Sequence, residues 1–324
     1  MPAASDDIRV SLIAPIYNEY ENLPDLVARV ESVMSAQPRS WEFICVNDGS
    51  RDGSDRLLEE LATSRPWLRP VFLRRNYGQS TAMQAGFDAA RGEVLITIDG
   101  DMQNDPGDIP RLLDMLDERP EIDIISGWRR HRQDKTFSRK IPSMIANRLI
   151  SNVTGVRLHD YGCSLKLYRR SAVEHVKIYG ELHRFIPALA HEYGAKVMEA
   201  EVNHYPRTKG VSKYGIDRTI RVLLDLLWVK FLLRFLHRPM HAFGGLGALL
   251  FFPGLLILAY LVGVKLFVGA DIGGRPLLLM GAMFTLMGAN FIGLGILGEL
   301  LTRIWHEPGG KAQYLLRDEP PDGK

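Results

Sequence analysis

The sequence predicts an α/β domain with a mainly parallel sheet, followed by interfacial helices and a two-helix membrane-spanning hairpin. Two observations predict this. Short apolar runs alternate with helix-spaced segments over the first 215 residues, as in sheets whose strands are joined by crossover helices. Residues 239–298 hold only three charges, Lys265, Asp271 and Arg275. The chain as a whole has 40 Lys+Arg against 38 Asp+Glu, a net charge of +2. That balance excludes a protein whose main task is to coat nucleic acid, which needs a basic face to neutralise phosphates.

In chain order, the opening residues MPAASDDIRV contain no apolar stretch, which predicts no signal peptide. The apolar runs 10–14, 41–46, 71–73, 94–98 and 122–125 read as buried strands. Between them, segments 23–34, 55–62, 80–90 and 109–116 have helical spacing. In such a sheet, ligand chemistry is expected at the carboxyl ends of the strands. The two cysteines, Cys45 and Cys163, cannot make a disulfide framework, and Cys45 lies in an apolar run. Buried free thiols in a reducing cytoplasm are expected.

Beyond the α/β domain, expected to span 1–214, residues 215–238 are apolar but salted with charge. Arg218, Arg221 and Asp225 fall on one side of a helical projection, with Lys230, Arg234, His237 and Arg238 nearly opposite. Two interfacial pieces with a bend near 226–229 explain that rotation, with basic residues toward anionic lipid. The membrane part, 239–305, contains two uncharged stretches of 23 residues, 242–264 and 276–298. Each reaches about 34 Å as a helix, enough for a hydrocarbon core of roughly 30 Å. Arg234, Arg238, Arg303 and Lys311 flank the outer ends, which places both termini and the large domain in the cytoplasm. Gly244 with Ala248, and Ala289 with Gly293, permit close helix approach and homo-oligomerisation. The polar tail, 306–324, is expected to be loosely held.

The chemical motifs fall at the predicted strand ends. The first strand runs into Pro15-Ile16-Tyr17-Asn18-Glu19 and lacks the glycine-rich turn of a dinucleotide-binding fold. The second ends in Asn47-Asp48-Gly49-Ser50, an ordinary turn that also places a carboxylate where a base N–H could be met. The fourth ends in Asp99-Gly100-Asp101-Met102-Gln103. On an extended chain Asp99 and Asp101 face the same way, with Gln103 continuing the row. Two adjacent carboxylates repel unless a cation lies between them, and Mg²⁺ or Mn²⁺ takes such oxygen ligands together with substrate phosphates. Two basic clusters follow: Arg129 to Arg132 with Arg139, Lys140 and Ser143, and then the loop from Arg207 to Tyr214. A solvated surface is the ordinary reading of either cluster alone. Together, beside paired carboxylates, they point to two anionic ligands, a diphosphate and a phosphate.

These motifs, with Asn76-Tyr77-Gly78-Gln79, Asp160-Tyr161-Gly162-Cys163, Phe185-Ile186-Pro187 and Gly298-Glu299-Leu300, resemble family-2 glycosyltransferases of GT-A fold. The likeness is to the polyprenyl-phosphate transferases: dolichyl-phosphate mannose synthase and, more nearly, undecaprenyl-phosphate 4-deoxy-4-formamido-L-arabinose transferase. It implies an inverting, metal-dependent enzyme of the bacterial inner membrane, using a nucleotide-sugar donor and undecaprenyl phosphate, in lipid A or other envelope modification. It implies that Pro15, Tyr17, Asn18, Glu19 and Asp48 hold the nucleotide, and that Asp99, Asp101 and Gln103 bind Mg²⁺ or Mn²⁺. Arg129, Arg139 and Ser143 then grip the lipid phosphate, Arg207, Ser212 and Lys213 close over the donor, and Asp160 lies near the acceptor. Asp101, Asp160 and Arg139 are the residues implied to be catalytic. Gly100, Asn47 and Asp105 depart from the family's usual alanine, aspartate and proline without removing a ligand. Another donor sugar, a processive polysaccharide synthase and a non-catalytic membrane scaffold are the competing readings. The paired carboxylates count against the scaffold, and two spans alone count against the synthase.

Overall fold

The computed structural model describes residues 8–130, 150–151, 154–178, 180, 182–206 and 239–306. The chain divides into two compact units, Met1–Leu227 and Trp228–Lys324. The first contains a seven-stranded sheet of β1 (Val10–Ile16), β2 (Trp41–Asn47), β3 (Leu68–Phe72), β4 (Val94–Thr97), β5 (Ile124–Trp128), β6 (Lys166–Arg169) and β7 (Val197–Glu201). The spatial order is β3-β2-β1-β4-β6-β5-β7. β6 runs antiparallel to both β4 and β5, and the other pairs are parallel.

Central strands covered on both faces must be apolar throughout, and β1 and β2 are. Val10, Leu12, Ile13 and Ala14 are buried, as are Phe43, Ile44, Cys45 and Val46 beside them. The connecting helices α1 (Leu23–Met34), α2 (Ser54–Thr63), α3 (Gln79–Ala89) and α4 (Ile109–Asp117) lie close to the expected spans. α1 turns Leu23, Leu26, Val27, Val30 and Met34 inward, a three-to-four-residue repeat that covers one side of the sheet. The one acid in these central strands, Glu42, is almost wholly buried and fully partnered. Ser11 Oγ donates at 2.7 Å, the Arg91 amide at 2.7 Å, and the Arg69 and Arg91 guanidiniums at 2.5 and 3.0 Å. Burial pushes this carboxyl up, but those donors outweigh it and hold it below the usual carboxylate range.

β6, β7 and the short helices α5 (Arg170–Val173) and α6 (Ile186–Glu192) were not legible. β6 is four residues long and carries a buried lysine, and β7 is an edge strand with acids at alternate positions. β3 starts three residues before the predicted run because Arg69 and Pro70 interrupt its apolar pattern at the sheet edge. Both cysteines are buried free thiols, as expected.

In the second unit, α7 (Pro239–Gly263) passes through Pro253 and continues as a π turn, Val264–Val268, before α8 (Pro276–His306). Both helices are long and apolar enough to cross a membrane over Phe243–Val268 and Pro276–Leu301, each 26 residues. Their seam is built on glycine every seven residues. A Cβ on Gly247 would meet Gly288 O at 2.8 Å, one on Gly254 Gly281 O at 2.9 Å, and one on Gly288 Phe251 N at 2.4 Å. A seven-residue repeat is the contact pattern of gently coiled antiparallel helices. Gly293 has no atom within 4 Å of an added Cβ, so of the expected small-residue pairs it faces away from the seam.

Candidate active site

The loops after β1, β2 and β4, with the start of α3, form one polar edge at the carboxyl ends of the parallel strands. Asn18 adopts a left-handed conformation, φ +51°, that asparagine tolerates well. Its amide N–H donates to Ser50 Oγ at 3.0 Å and its Oδ1 accepts from Arg51 N at 2.8 Å, stitching the first loop to the second. Pro15 still belongs to β1, opposite Val46, and Glu19 accepts from Asn22 Nδ2 at 2.6 Å. Gly49, at φ +65°, lies where a Cβ would be 2.4 Å from the backbone of Arg75, so only glycine lets these two loops touch.

Asp48 is 3% exposed, and its carboxylate clamps the next loop. One oxygen accepts from Tyr77 N at 2.7 Å and the other from Gly78 N at 2.9 Å. Burial pushes the Asp48 carboxyl up, and the two amides pull it back only in part. The clamp fixes the first residue of α3, Gln79, whose Nε2 donates to Asp99 Oδ1 at 2.8 Å. Asp48, Gln79 and Asp99 thus form one relay of contacts. Gln79 belonged to a motif carried only by resemblance, and no role had been read for it.

The acidic loop itself departs from a simple extended row. β4 ends at Thr97, residues 100–101 form a turn, and Met102 is left-handed at φ +59°. A non-glycine residue there is held by its surroundings at a cost of about 1–3 kcal/mol, a pattern common at functional loops. Asp101 Oδ1 accepts from Gln103 N at 3.2 Å, and Gln103 O accepts from Tyr205 N at 2.9 Å. Asn104 is buried, its Oδ1 accepting from Ser164 Oγ at 2.7 Å. Asp105 receives Gly107 N, Arg29 and the Tyr205 hydroxyl. These bonds anchor both ends of the loop while leaving Asp99, Asp101 and Gln103 half-buried at its rim.

Among the described residues no group of three or more His, Cys, Asp or Glu side chains gathers at one point. A closed zinc site has no home there. Two carboxylates with all-oxygen donors suit Mg²⁺ or Mn²⁺, which keep positions open for water and phosphate oxygens.

Arg129, at the end of β5, and Asp160 are brought together as a buried pair. Arg129 Nε and Nη2 donate to the two carboxylate oxygens at 2.7 and 3.0 Å, with side chains 10% and 9% exposed. Burial lowers the Arg129 pKa, but the bonds and charge of Asp160 outweigh it, and the net shift is upward. Asp160 Oδ1 also accepts from Gly162 N at 3.1 Å. Behind it, Glu199 receives the amides of His159 and Asp160 at 2.7 and 3.2 Å. His159 stacks on Trp128 at 4.4 Å between ring centroids. A carboxylate so engaged orients its arginine and is a poor proton acceptor. The pairing spans 31 residues of chain, and no local pattern announces it.

Beside Asp99 lies a small pocket of about 40 Å³, lined in part by Gln79, Asp99, Ser164, Lys166, His183 and Arg184. Lys166 is 3% exposed and donates to the carbonyls of Tyr161 and Cys163. Burial pulls its pKa down. The imidazole of His183 shares a 2.7 Å bond with Ser80 Oγ. A wider depression of about 460 Å³ is lined by Asn18, Glu19, Tyr20, Glu21, Asn22, Arg51 and Asp52. Its three acids against one arginine suit phosphates poorly. Arg139, Ser143, Arg207, Ser212 and Lys213 lie outside the described residues, as does the expected interfacial segment 215–238.

Comparison with known proteins agrees with this geometry. The family Glycosyl transferase family 2 matches residues 11–177, which run from β1 past the acidic loop to the segment after β6. Dodecaprenyl-phosphate galacturonate synthase of Rhizobium johnstonii is 46% identical over 319 residues, 96% of this chain and 92% of that protein. Undecaprenyl-phosphate 4-deoxy-4-formamido-L-arabinose transferase of Pectobacterium carotovorum is 37% identical over 315 residues, 96% and 94% of the two chains. Among solved structures, glucosyl-3-phosphoglycerate synthase from Mycobacterium tuberculosis, in complex with Mn²⁺, UDP and phosphoglyceric acid, superposes with a TM-score of 0.52. It does so at 14% identity, over 68% of this chain and 78% of that one, a likeness of fold. With its sheet order, its carboxylate-bearing loop after β4 and its whole-length relatives in agreement, the chain belongs to glycosyl transferase family 2 and is a glycosyltransferase of GT-A-like fold.

Proposed function

We propose that this enzyme transfers one sugar from a UDP-sugar to the phosphate of a polyprenyl lipid, undecaprenyl phosphate, at the cytoplasmic face of a bacterial inner membrane. The observation that carries the reading is the extent of the likeness. It covers 96% of the chain, the apolar hairpin included, in relatives whose names both contain a polyprenyl phosphate. The hairpin would hold the catalytic unit beside a lipid acceptor, and the flanking basic residues favour the cytoplasmic side.

The chemistry follows from charge. A phosphate monoester with its second pKa near 6 is mostly dianionic at neutral pH and already nucleophilic. One of its oxygens forms the new bond to the anomeric carbon as the bond from that carbon to the diphosphate breaks, and UDP leaves with the electron pair. No strong base is required, which suits an Asp160 committed to Arg129. Asp99, Asp101 and Gln103 would hold Mg²⁺ or Mn²⁺, which when bound neutralises charge on the leaving diphosphate. Pro15, Tyr17, Asn18, Glu19 and Asp48 would seat the nucleoside, Asp48 by shaping the loop at 76–79 as well as by its own oxygens. Arg207, Ser212 and Lys213 would cover the donor phosphates. Tyr205, bonded to Gln103, would set where that segment leaves the sheet. Arg129, Arg139 and Ser143 would counter the incoming phosphate. Orienting two anions for in-line attack supplies the remaining acceleration.

The test is a product assay. Full-length protein in detergent, with undecaprenyl phosphate, Mn²⁺ and a panel of UDP-sugars, is expected to give a single sugar on a solvent-extractable lipid. A polymer, or sugar on water-soluble acceptors only, contradicts the reading.

A further inference from the structure

We propose that Lys166 is a positioning residue for the acceptor: its ammonium fixes the turn at 160–163 and, through Asp160, the direction in which Arg129 meets the lipid phosphate. The inference rests on the transfer reading above and adds the group that aligns the incoming nucleophile.

Location is the first argument. Lys166 opens β6, where its neighbours across the sheet are Thr97 of β4 and Ser126 of β5. Thr97 lies two residues before Asp99, and Ser126 three before Arg129. Lys166 therefore stands where the strand leading to the acidic loop is joined to the strand leading to Arg129. It is 3% exposed, and its side chain reaches back to the segment before β6. There it donates to the carbonyl of Tyr161, at 3.3 Å, and to that of Cys163. That segment is a turn followed by irregular chain, so a side chain does the holding that a ladder does elsewhere.

Chemistry is the second. Among the described residues the ammonium bonds only to these two carbonyls. A residue that merely filled the space would be apolar, because an ammonium is costly to bury. One nitrogen with three N–H groups on a long stem serves two carbonyls two residues apart, and no neutral side chain has that reach.

The third argument is what the turn carries. Gly162 N donates to Asp160 Oδ1 at 3.1 Å, so the place of the turn sets the place of the carboxylate. That carboxylate takes Nε and Nη2 of Arg129 at 2.7 and 3.0 Å. Two of the five guanidinium N–H groups are so used, and the fixed fork presents the other three in a set direction. The donor side is held separately. Gln79 holds Asp99 from α3. Thr97 Oγ1 donates to the carbonyl of Ser164 at 2.6 Å, so Ser164 and its 2.7 Å bond to Asn104 have an anchor of their own.

The experiment uses full-length protein in nanodiscs with Mn²⁺. Calorimetry measures the binding of UDP and of farnesyl phosphate, a short soluble isoprenyl phosphate, and steady-state kinetics vary undecaprenyl phosphate. Lys166→Met keeps the stem and removes the donors. It should weaken farnesyl phosphate binding and raise the KM for undecaprenyl phosphate about tenfold, the scale on which a partner behind a binding group acts. UDP affinity should stay within twofold and kcat within threefold, and Lys166→Arg should bring the lipid-phosphate affinity to within threefold of wild type. In an Arg129→Leu background Lys166→Met should cost little more, since its effect runs through that arginine. The same tenfold loss in both backgrounds overturns the proposal. So does Lys166→Met protein that binds both ligands as wild type does, or that loses both equally at an unchanged melting temperature. Should Lys166→Met not fold, Lys166→Gln, with two N–H groups on a shorter stem, carries the same comparisons. Wild type that does not bind farnesyl phosphate overturns the role and the activity reading together. Binding that depends on Lys166 without any lipid product leaves the role standing and removes the activity reading. Lipid product made with one KM by wild type and Lys166→Met removes the role and leaves the activity.

Discussion

Replacing Asp160 by leucine is expected to destabilise the catalytic unit far more than replacing its partner Arg129. The pair is joined by two bonds of 2.7 and 3.0 Å between side chains about a tenth exposed. Removing one member of a buried pair costs about 3–5 kcal/mol when it strands the other charge. Asp160→Leu strands a guanidinium that, among the described residues, directs all its side-chain hydrogen bonds to Asp160. Arg129→Leu leaves Asp160 with the amides of Gly162 at 3.1 Å and of residue 129 at 3.4 Å, and costs about 1–3 kcal/mol. The double replacement by leucine returns most of the loss. For a domain of this size the larger figure corresponds to about 6–20 °C of melting temperature. Thermal unfolding of the detergent-solubilised chain, followed by intrinsic fluorescence, reads all three variants. Trp128, next in sequence to Arg129 and stacked on His159, reports the site directly. Equal and small losses in the single variants, or a double variant as unstable as their sum, would refute the reasoning. The pH dependence of stability is not expected to reveal this pair. A raised arginine pKa contributes stability fully present below its unfolded value and lost only at more alkaline pH than the fold can be tested.

Other consequences can be checked alongside. Gln79→Leu removes the 2.8 Å bond to Asp99, and Mn²⁺ affinity in the presence of UDP should fall about 10–100-fold with a stability loss near 1 kcal/mol; unchanged affinity refutes the relay. Glu42 has a folded pKa below its unfolded value of 4.5, so its contribution is complete at neutral pH and disappears as pH falls below that value. Glu42→Gln should therefore lower the melting temperature at pH 7 and flatten its decline toward pH 3, and an unaltered acid limb contradicts this. In the hairpin, Gly288→Val places a Cβ 2.4 Å from Phe251 N and should cost about 1–3 kcal/mol, whereas Gly293→Val, in open space, should be silent. Arg139→Ala is expected to raise the KM for the lipid phosphate and spare nucleotide binding, and the reverse pattern reassigns that residue.

What the sequence disclosed follows from how local each signal was. β1, β2 and α1 were legible because burial on both faces, or on one helical stripe, writes a pattern into consecutive residues. β6 was not: four residues with a buried lysine carry no such pattern, and its antiparallel insertion between β4 and β5 is a property of the whole sheet. The hairpin was legible in composition, while its seam was not. Gly247, Gly254, Gly281 and Gly288 were passed over for the shorter-spaced pairs Gly244 with Ala248 and Ala289 with Gly293, because four-residue spacing is more conspicuous than seven. The site divides in the same way. Asp99 and Asp101 announce themselves at the end of an apolar run. Asp48 was visible too, though its clamp on Tyr77 and Gly78 was not, being a contact across 29 residues. Lys166 and His183 stood outside every local motif, and only the folded sheet places them beside Asp99.

The central claim is that Asp99 and Asp101 hold a divalent cation against the donor diphosphate. Crystals of the full-length protein grown with UDP and Mn²⁺, with diffraction recorded at the manganese edge, test it most directly. The account predicts one anomalous peak within bonding distance of both carboxylates and of a diphosphate oxygen, lost in Asp101→Asn. A peak elsewhere, or nucleotide bound in the same place with no manganese beside those side chains, would contradict it.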